Sequence, residues 1–233
     1  MIRLVVFDMA GTTVDEDNVV YKTIWRSLID KGYTLSLEEV LEHAAGKEKL
    51  RAIKDILKHV FDMNNEGEAD AIHSIFRLSL ERAYEELELR PVTGAEDLFR
   101  YLKQRGISVV LNTGYDGRTA LGLLRKLGWE DSNLIDAVVT ASDVPLSRPS
   151  PDMIRLAMYK TGIHDPAEVI KIGDSIVDIE EGQNAGCRMS IGITGGAQNR
   201  EQLLQQKPDH VIEHLSELIP IIEQENGIST QDK

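Results

Sequence analysis

Hard, charged side chains recur in this sequence just after short apolar runs. Asp8 closes the run Ile2–Phe7 and is followed by Gly11, Thr12 and Thr13. Thr113 closes Ile107–Leu111, with Asn112 before it and Gly114 after. Arg148 stands in Ser147-Arg148-Pro149-Ser150-Pro151, and Asp174 and Asp178 lie in GDSIVD. Together these residue types suit phosphoryl transfer. Carboxylates supply the hard oxygen ligands that a divalent cation needs. An aspartate can attack phosphorus to give an acyl phosphate. A hydroxyl, backbone N–H groups and a guanidinium can stabilise the oxygens of the moving group.

Residues so far apart in sequence meet only if one sheet edge gathers them. Ile2–Phe7, Ile107–Leu111, Asp136–Thr140, Val169–Ile172 and Arg188–Ile193 read as buried strands, with His210–Ile212 as an edge strand. Helical patterns fall between them at Ala95–Lys103, Arg118–Leu127, Asp152–Lys160, Ile179–Ala185 and Gln198–Gln205. This alternation predicts an α/β fold: a Rossmann-like parallel sheet with helices on both faces. Ligands then bind beyond the carboxyl ends of the strands, where the charged residues fall.

Residues 15–91 break the rhythm. They carry almost no strand signal and read as helices at Asn18–Lys31, Leu37–Ala45, Lys49–Val60 and Glu68–Glu86. They predict an all-helical insertion, joined through Thr13–Asp17 and Leu87–Thr93 to a core made of 1–14 and 92–233. Residues 224–233 read as a polar, frayed tail. The 233 residues suffice for such a core and insertion.

The net charge of −13, from 26 basic and 39 acidic residues, argues against nucleic acid as a partner. No apolar run reaches the length of a membrane span, and the opening MIRLVVFDMAG reads as a strand and not a signal peptide. A single cysteine, Cys187, excludes an internal disulfide and fits a cytoplasmic location. The six histidines lack metal-ligand spacing. Tyr21, Trp25 and Arg26 could line a cleft, although the i, i+4 pair of Tyr21 and Trp25 more often packs a core. Gly195-Gly196 reads as a turn.

FDMAGTTVD, LNTG, SRPSP and KIGDSIVDIEEGQNAG resemble the four ordered motifs of the haloacid dehalogenase superfamily. The resemblance runs from Met1 to about Gly196, and the insertion sits where that superfamily has its helical C1-type cap. It implies a Mg2+-dependent hydrolase of a small phosphate ester or phosphonate, monomeric or homodimeric. Asp8 would be the nucleophile. Asp8 and Asp174 would hold the ion by carboxylates and Ala10 by its carbonyl, while Asp178 would orient a water on the ion or bind it directly. Thr113 and backbone N–H groups near Gly11 and Gly114 would hold phosphate oxygens, with Thr12 and Asn112 as further substrate-binding candidates. Arg148 would stand where lysine is usual, bridging Asp8 and the phosphate.

Most phosphatases of that superfamily carry a second Asp two residues after the nucleophile, as general acid and base. Here the position is Ala10. FDMAGTTVDE and SRPSP are similar to the phosphonoacetaldehyde hydrolase subgroup, which also has alanine there. In that subgroup a cap lysine forms a Schiff base with the substrate aldehyde, and the Gly-x-x-Lys motif that carries it matches Gly46 to Lys49. Lys49 is thus a candidate catalytic and substrate-binding residue, with Lys47 and Arg51 as candidate cationic neighbours. Two subgroup residues differ: Ala45 stands for a methionine and Ala52 for a histidine. A non-catalytic phospho-ligand binder or phospho-Asp signalling module is the competing reading, kept open by Ala10. Halide removal needs no metal and would leave Asp174 and Asp178 without a task.

Overall fold

The computed structural model describes residues 1–227. Its centre is β1 (Leu4–Asp8), every residue of which is buried. β1 pairs in parallel with β4 (Ser108–Thr113) on one side and β6 (Val169–Gly173) on the other. β5 (Ala137–Thr140) extends the first side, and β7 (Met189–Ile193) and β8 (His210–Ile212) extend the second. The order is therefore β5-β4-β1-β6-β7-β8, all parallel. Strands buried on both faces explain why the sequence shows solid apolar runs and not alternation.

Successive strands leave β1 first toward β4 and β5, then toward β6. A crevice must open at the carboxyl ends on either side of that reversal. Asp8, Thr113 and Asp174 lie there, at the end of β1, at the end of β4 and one residue past β6. The helices of the sheet are α5 (Ala95–Gln104), α6 (Gly117–Leu127), α7 (Asp152–Thr161), α8 (Ile176–Ala185), α9 (Arg200–Gln205) and α10 (Leu218–Glu225). α8 begins three residues earlier than the sequence suggests, which puts Asp178 in its first turn, where the helix dipole favours a carboxylate.

Between β1 and the sheet's resumption lie α1 (Val19–Asp30), α2 (Leu37–Ala44), α3 (Lys49–Phe61) and α4 (Glu66–Glu86). α1 packs on α4 and α2, and α3 on α2 and α4. Ile24, Leu28, Val40, Ile53, Ile72 and Phe76 join one apolar cluster continuous with Phe7, Phe99 and Leu111 of the sheet region. Burying each such side chain is worth about 1.5–3 kcal/mol. Ser36 starts α2 with a reciprocal capping box to Glu39. Among the described residues no helix is long and apolar enough to cross a membrane.

Within the linkers 13–17 and 87–93, β2 (Val14–Asp15) and β3 (Arg90–Pro91) pair antiparallel and lace the two crossings together. Val92 adds an N–H bond of 2.9 Å to the Thr13 carbonyl. The expected frayed tail is ordered as far as 227, the end of the described residues. Glu225, in the last turn of α10, pairs with Arg188 at 2.8 Å. Asn226 Oδ1 accepts the Ile2 N–H at 2.5 Å, which pins the end of α10 to the start of β1. Amphipathic helix ends with polar sequence read as tails because their partners are remote in sequence. The rest of the expected tail, 228–233, lies outside the described residues.

Candidate active site

Three carboxylates meet at the sheet edge. Asp8 leaves the end of β1, Asp174 follows β6, and Asp178 comes from the first turn of α8. All three are buried, with one oxygen of each within 4.8 Å of the others. Arg148 reaches in from the loop before α7. Its Nη2 lies 2.7 Å from Asp8 Oδ1, its Nη1 3.0 Å from Asp178 Oδ1 and its Nε 3.3 Å from Glu181 Oε2. A second cation, Lys171 of β6, places Nζ 2.8 Å from Asp178 and 3.5 Å from Glu181.

Sequence reasoning missed Lys171 and Glu181. The available signal was a lysine inside the otherwise apolar strand Val169–Gly173, and a glutamate three residues after Asp178. A charge inside such a strand is fully buried and must be paired. Asn112 was expected beside the substrate, and here the structure corrects the sequence. Its Oδ1 accepts from Arg148 at 2.7 Å and Lys171 at 2.8 Å, and its Nδ2 donates to Glu181 at 2.9 and 3.0 Å. The amide oxygen is filled by the two cations and the amide nitrogen faces the Glu181 carboxylate, so Asn112 positions these charges.

The glycines allow close approach. Gly11 has φ 78°, and a Cβ there would run into the Asp174 carboxylate. Its N–H is taken by the Val14 carbonyl at 2.9 Å, so that amide is not free for a phosphate oxygen, another correction. Gly195-Gly196, expected as a simple turn, also shapes the site. A Cβ on Gly196 would overlap Asp174, and the next amide, Ala197 N–H, donates to Asp174 Oδ2 at 2.6 Å. Gly114 lets the backbone carbonyls of Gly46 and Lys47 sit against it. Thr113 is buried, and its Oγ1 accepts from Tyr115 N–H at 3.2 Å. Thr12 Oγ1 is buried with no partner among the described residues, and Ala10 sits in the turn after β1, bridged to Val14.

The electrostatics leave a deficit. Asp8, Asp174, Asp178 and Glu181 face only Arg148 and Lys171 as cations inside the network. Burial, and then repulsion from Asp8 and Asp178, pushes the Asp174 carboxyl well above its ordinary range. Burial also raises Asp8, against the pull of Arg148. Burial acts on Asp178 too, but Arg148 and Lys171 outweigh it and hold that carboxyl low. With all four ionised, two negative charges are uncompensated beside three converging oxygens, which is why the Asp174 and Asp8 carboxyls hold their protons. A divalent cation with hard oxygen ligands fits both the charge and the donor set.

The insertion closes over this edge through its Gly46–Lys49 turn and the start of α3. Gly46 has φ 67°, and a Cβ there would strike Ser175 and Val177 of the core. Lys49, the first residue of α3, is buried, and its Nζ donates to the Lys47 carbonyl at 2.8 Å. That Nζ lies 5.4 Å from the Tyr21 ring centroid and 5.3 Å from that of Tyr115. Burial lowers its pKa, with Asp8 and Glu16 opposing and Arg148 assisting. The assisting cation is thus Arg148. Lys47 instead pairs with Asp55 at 2.6 Å, and Arg51 donates to the Arg148 carbonyl. Ala45 and Ala52 are buried. Tyr21 lines the site and accepts the Gly46 N–H at 3.1 Å, whereas Trp25 donates to the Leu35 carbonyl and packs among the helices. A cavity of about 710 Å3 opens from here between insertion and core, walled by Lys49, Phe76, Tyr84, Gly114 and Tyr115.

Glu16 escaped sequence notice as one more acidic residue in a linker. It is buried just after β2. Its Oε2 accepts from Tyr84 at 2.5 Å and from Tyr115 at 2.8 Å, and its Oε1 has no partner among the described residues. Burial raises its pKa from 4.5 to about 7, with the two phenols and Lys49 pulling down. The folded value lies above the unfolded one, so ionisation favours the unfolded chain. This costs nothing while both states are neutral, below about pH 4.5, and is fully felt above about pH 7. The full span is worth on the order of 3 kcal/mol. Glu16→Gln is therefore expected to raise the urea midpoint relative to wild type above about pH 7, with no such gain below about pH 4.5. An equal or lower midpoint at the higher pH would contradict the burial account.

Comparison with known proteins agrees with this geometry. A family model described as haloacid dehalogenase-like hydrolase matches residues 2–186. A phosphonoacetaldehyde hydrolase of Bacillus cereus is 30% identical over 207 residues, covering 84% of this chain and 77% of its own length. Among solved structures, a phosphonoacetaldehyde hydrolase-like protein from Oleispira antarctica superposes with a TM-score of 0.84 at 20% identity, over 100% of this chain and 95% of the other. A phosphoglycolate phosphatase-like structure from Haemophilus somnus gives 0.77 at 21%, over 95% and 98%. Structural likeness at such identities speaks for the fold, while the family match and the Bacillus relative speak for descent. The chain belongs to the haloacid dehalogenase-like hydrolases and is an enzyme of their phosphatase and phosphonatase-like kind.

Proposed function

We propose that this enzyme is a Mg2+-dependent hydrolase of a small phosphate monoester or phosphonate, acting through a phosphoryl group carried on Asp8. The observation that carries the reading is the convergence of Asp8, Asp174 and Asp178 beside Arg148, with negative charge left over. Asp8, Asp174 and the Ala10 carbonyl would hold Mg2+, with Asp178 steadied by Arg148, Lys171 and Ser175 at its edge. The ion would supply charge neutralisation for the phosphoryl oxygens facing Asp8.

The chain's own groups do the rest. Arg148 fixes the Asp8 carboxylate and sets its positive charge beside the place where the phosphoryl oxygens would lie. Thr113 and Thr12 carry hydroxyls that suit the remaining oxygens, Thr12 Oγ1 being buried without a partner among the described residues. Residues 15–91 act as a cap over a core of 1–14 and 92–233, excluding water and presenting Lys49. The cavity size suits a metabolite and not a polymer.

Lys49 is the group that decides between the two bond types. A neutral amine on Lys49 would condense with a substrate aldehyde, and the C–P bond electrons would flow into the iminium. An ester would need no such step. The test is a panel of phosphate monoesters beside phosphonoacetaldehyde, with Mg2+ or with EDTA, and borohydride added to an aldehyde arm. Turnover is expected with Mg2+ and is expected to vanish in EDTA. Borohydride inactivation mapped to Lys49 would assign the C–P route; robust ester turnover without trapping would retire it. Activity undiminished in EDTA would remove the metal from the proposal.

A further inference from the structure

We infer that Glu16 is a catalytic residue, the proton donor to the leaving oxygen of a phosphate ester and the proton acceptor for the water that follows. This rests on the reading that Asp8 attacks phosphorus. It extends that reading to a substrate class, the phosphate monoester of an aliphatic alcohol. General acid–base help is missing two residues after the nucleophile, where Ala10 has no proton to give. An alkoxide is a poor leaving group without it. A carbon leaving group that departs as an enamine needs no such donor, so a built acid beside the cavity points to oxygen.

Glu16 has the features of that acid. It projects from the hinge just after β2, behind the cavity wall formed by Lys49, Tyr84 and Tyr115. Its Oε2, the Tyr84 hydroxyl and the Tyr115 hydroxyl lie 2.5, 2.8 and 3.0 Å apart pairwise. Oε2 is therefore occupied as an acceptor. Oε1, buried and without a hydrogen-bond partner among the described residues, is the atom left to carry a proton. A purely structural carboxyl tying the hinge to α4 would not leave one oxygen orphaned, since a buried unsatisfied polar atom costs about 1–3 kcal/mol. Burial favours the neutral acid near pH 7, and Lys49 with the two phenols stabilises the carboxylate once the proton has gone. Tyr84 from α4 and Tyr115 after β4 touch Glu16, and the charges of Lys49 from α3 and Asp8 from β1 act on it.

In the first step an Asp8 oxygen forms a bond to phosphorus. The bond from phosphorus to the alcohol oxygen breaks and its electron pair stays on that oxygen. The Glu16 Oε1 proton moves to it, giving the free alcohol and a Glu16 carboxylate. In the second step water forms a bond to phosphorus and the Asp8–phosphorus bond breaks. One water proton returns to Glu16, inorganic phosphate leaves, and both side chains regain their starting form.

The test compares Glu16→Gln with wild type on an alkyl phosphate and on 4-nitrophenyl phosphate, whose phenolate leaves without a proton. Gln retains shape and still accepts the tyrosine hydrogen bonds, but it cannot transfer a proton. The expected result is a loss of about 10²–10⁴-fold in kcat on alkyl esters and a far smaller loss on the aryl ester. Glu16→Asp is expected to restore part of the alkyl activity. Equal losses on both esters would mark Glu16 as structural, and no loss on either would mark it as idle; both overturn the inference. A wild type that cleaves only phosphonoacetaldehyde, or only the aryl ester, also overturns it while leaving Asp8 in place. A wild type whose turnover survives Asp8→Asn instead overturns the Asp8 reading, a separate outcome.

Discussion

Asp8→Asn is expected to lose on the order of 10⁴-fold or more in kcat while folding as wild type does. Asparagine matches aspartate in shape, but its amide has no anionic oxygen with which to attack phosphorus. Stability should hold because burial already penalises the charged carboxyl, so a neutral isostere removes that penalty along with the attraction to Arg148. The measurement is Mg2+-dependent turnover of any ester accepted by wild type, with thermal melts in parallel. Residual activity within about tenfold of wild type would remove Asp8 from the nucleophile's role. Unfolding would mean that the Arg148 pairing, 2.7 Å from Asp8, is needed to fold and would leave the chemical question to a binding assay with inorganic phosphate.

The sheet was legible because each strand is a β-branched run ending in Asp, Asn-Thr-Gly or Gly-Asp-Ser. Buried parallel strands write their ends into the sequence as abrupt changes to polar turn residues. The four helices of 19–86 were legible from their spacing and their lack of strand signal. What escaped notice depends on partners distant in the chain. The β2–β3 pairing is two residues a side and joins positions more than seventy residues apart, too short for any pattern to show. Glu16 looks like any linker charge until Tyr84 and Tyr115 close on it. Asn112 looked like a ligand group because it neighbours Thr113, but strand alternation turns the two to opposite faces of the sheet. Thr113 points one way, and Asn112 points the other, to the Arg148–Lys171–Glu181 network. The same alternation, applied to Lys171 in β6, would have predicted a buried cation and a search for its counter-charge.

That network should dominate stability as Asp8 dominates chemistry. Arg148→Met keeps most of the side chain's volume and removes its charge, leaving Asp8, Asp178 and Glu181 with Lys171 alone. Breaking a buried pair by deleting one partner costs about 3–5 kcal/mol, because the surviving charges stay desolvated. For a chain of this length the melting point should fall by on the order of 10 °C. Glu181→Gln placed on the same background removes one of the stranded charges, and glutamine can still accept from Asn112. The double variant is therefore expected to melt above Arg148→Met, so that the two losses fail to add. Activity should not return with stability. Glu181 reaches Asp8 only through Arg148 and Asn112, whereas Arg148 is the cation that orients the nucleophile. If the losses add, the four carboxylates and two cations are not one electrostatic unit, and the leftover charge that argues for a divalent ion loses its basis. If activity recovers along with the melting point, Arg148 serves the fold and the phosphoryl oxygens need another partner.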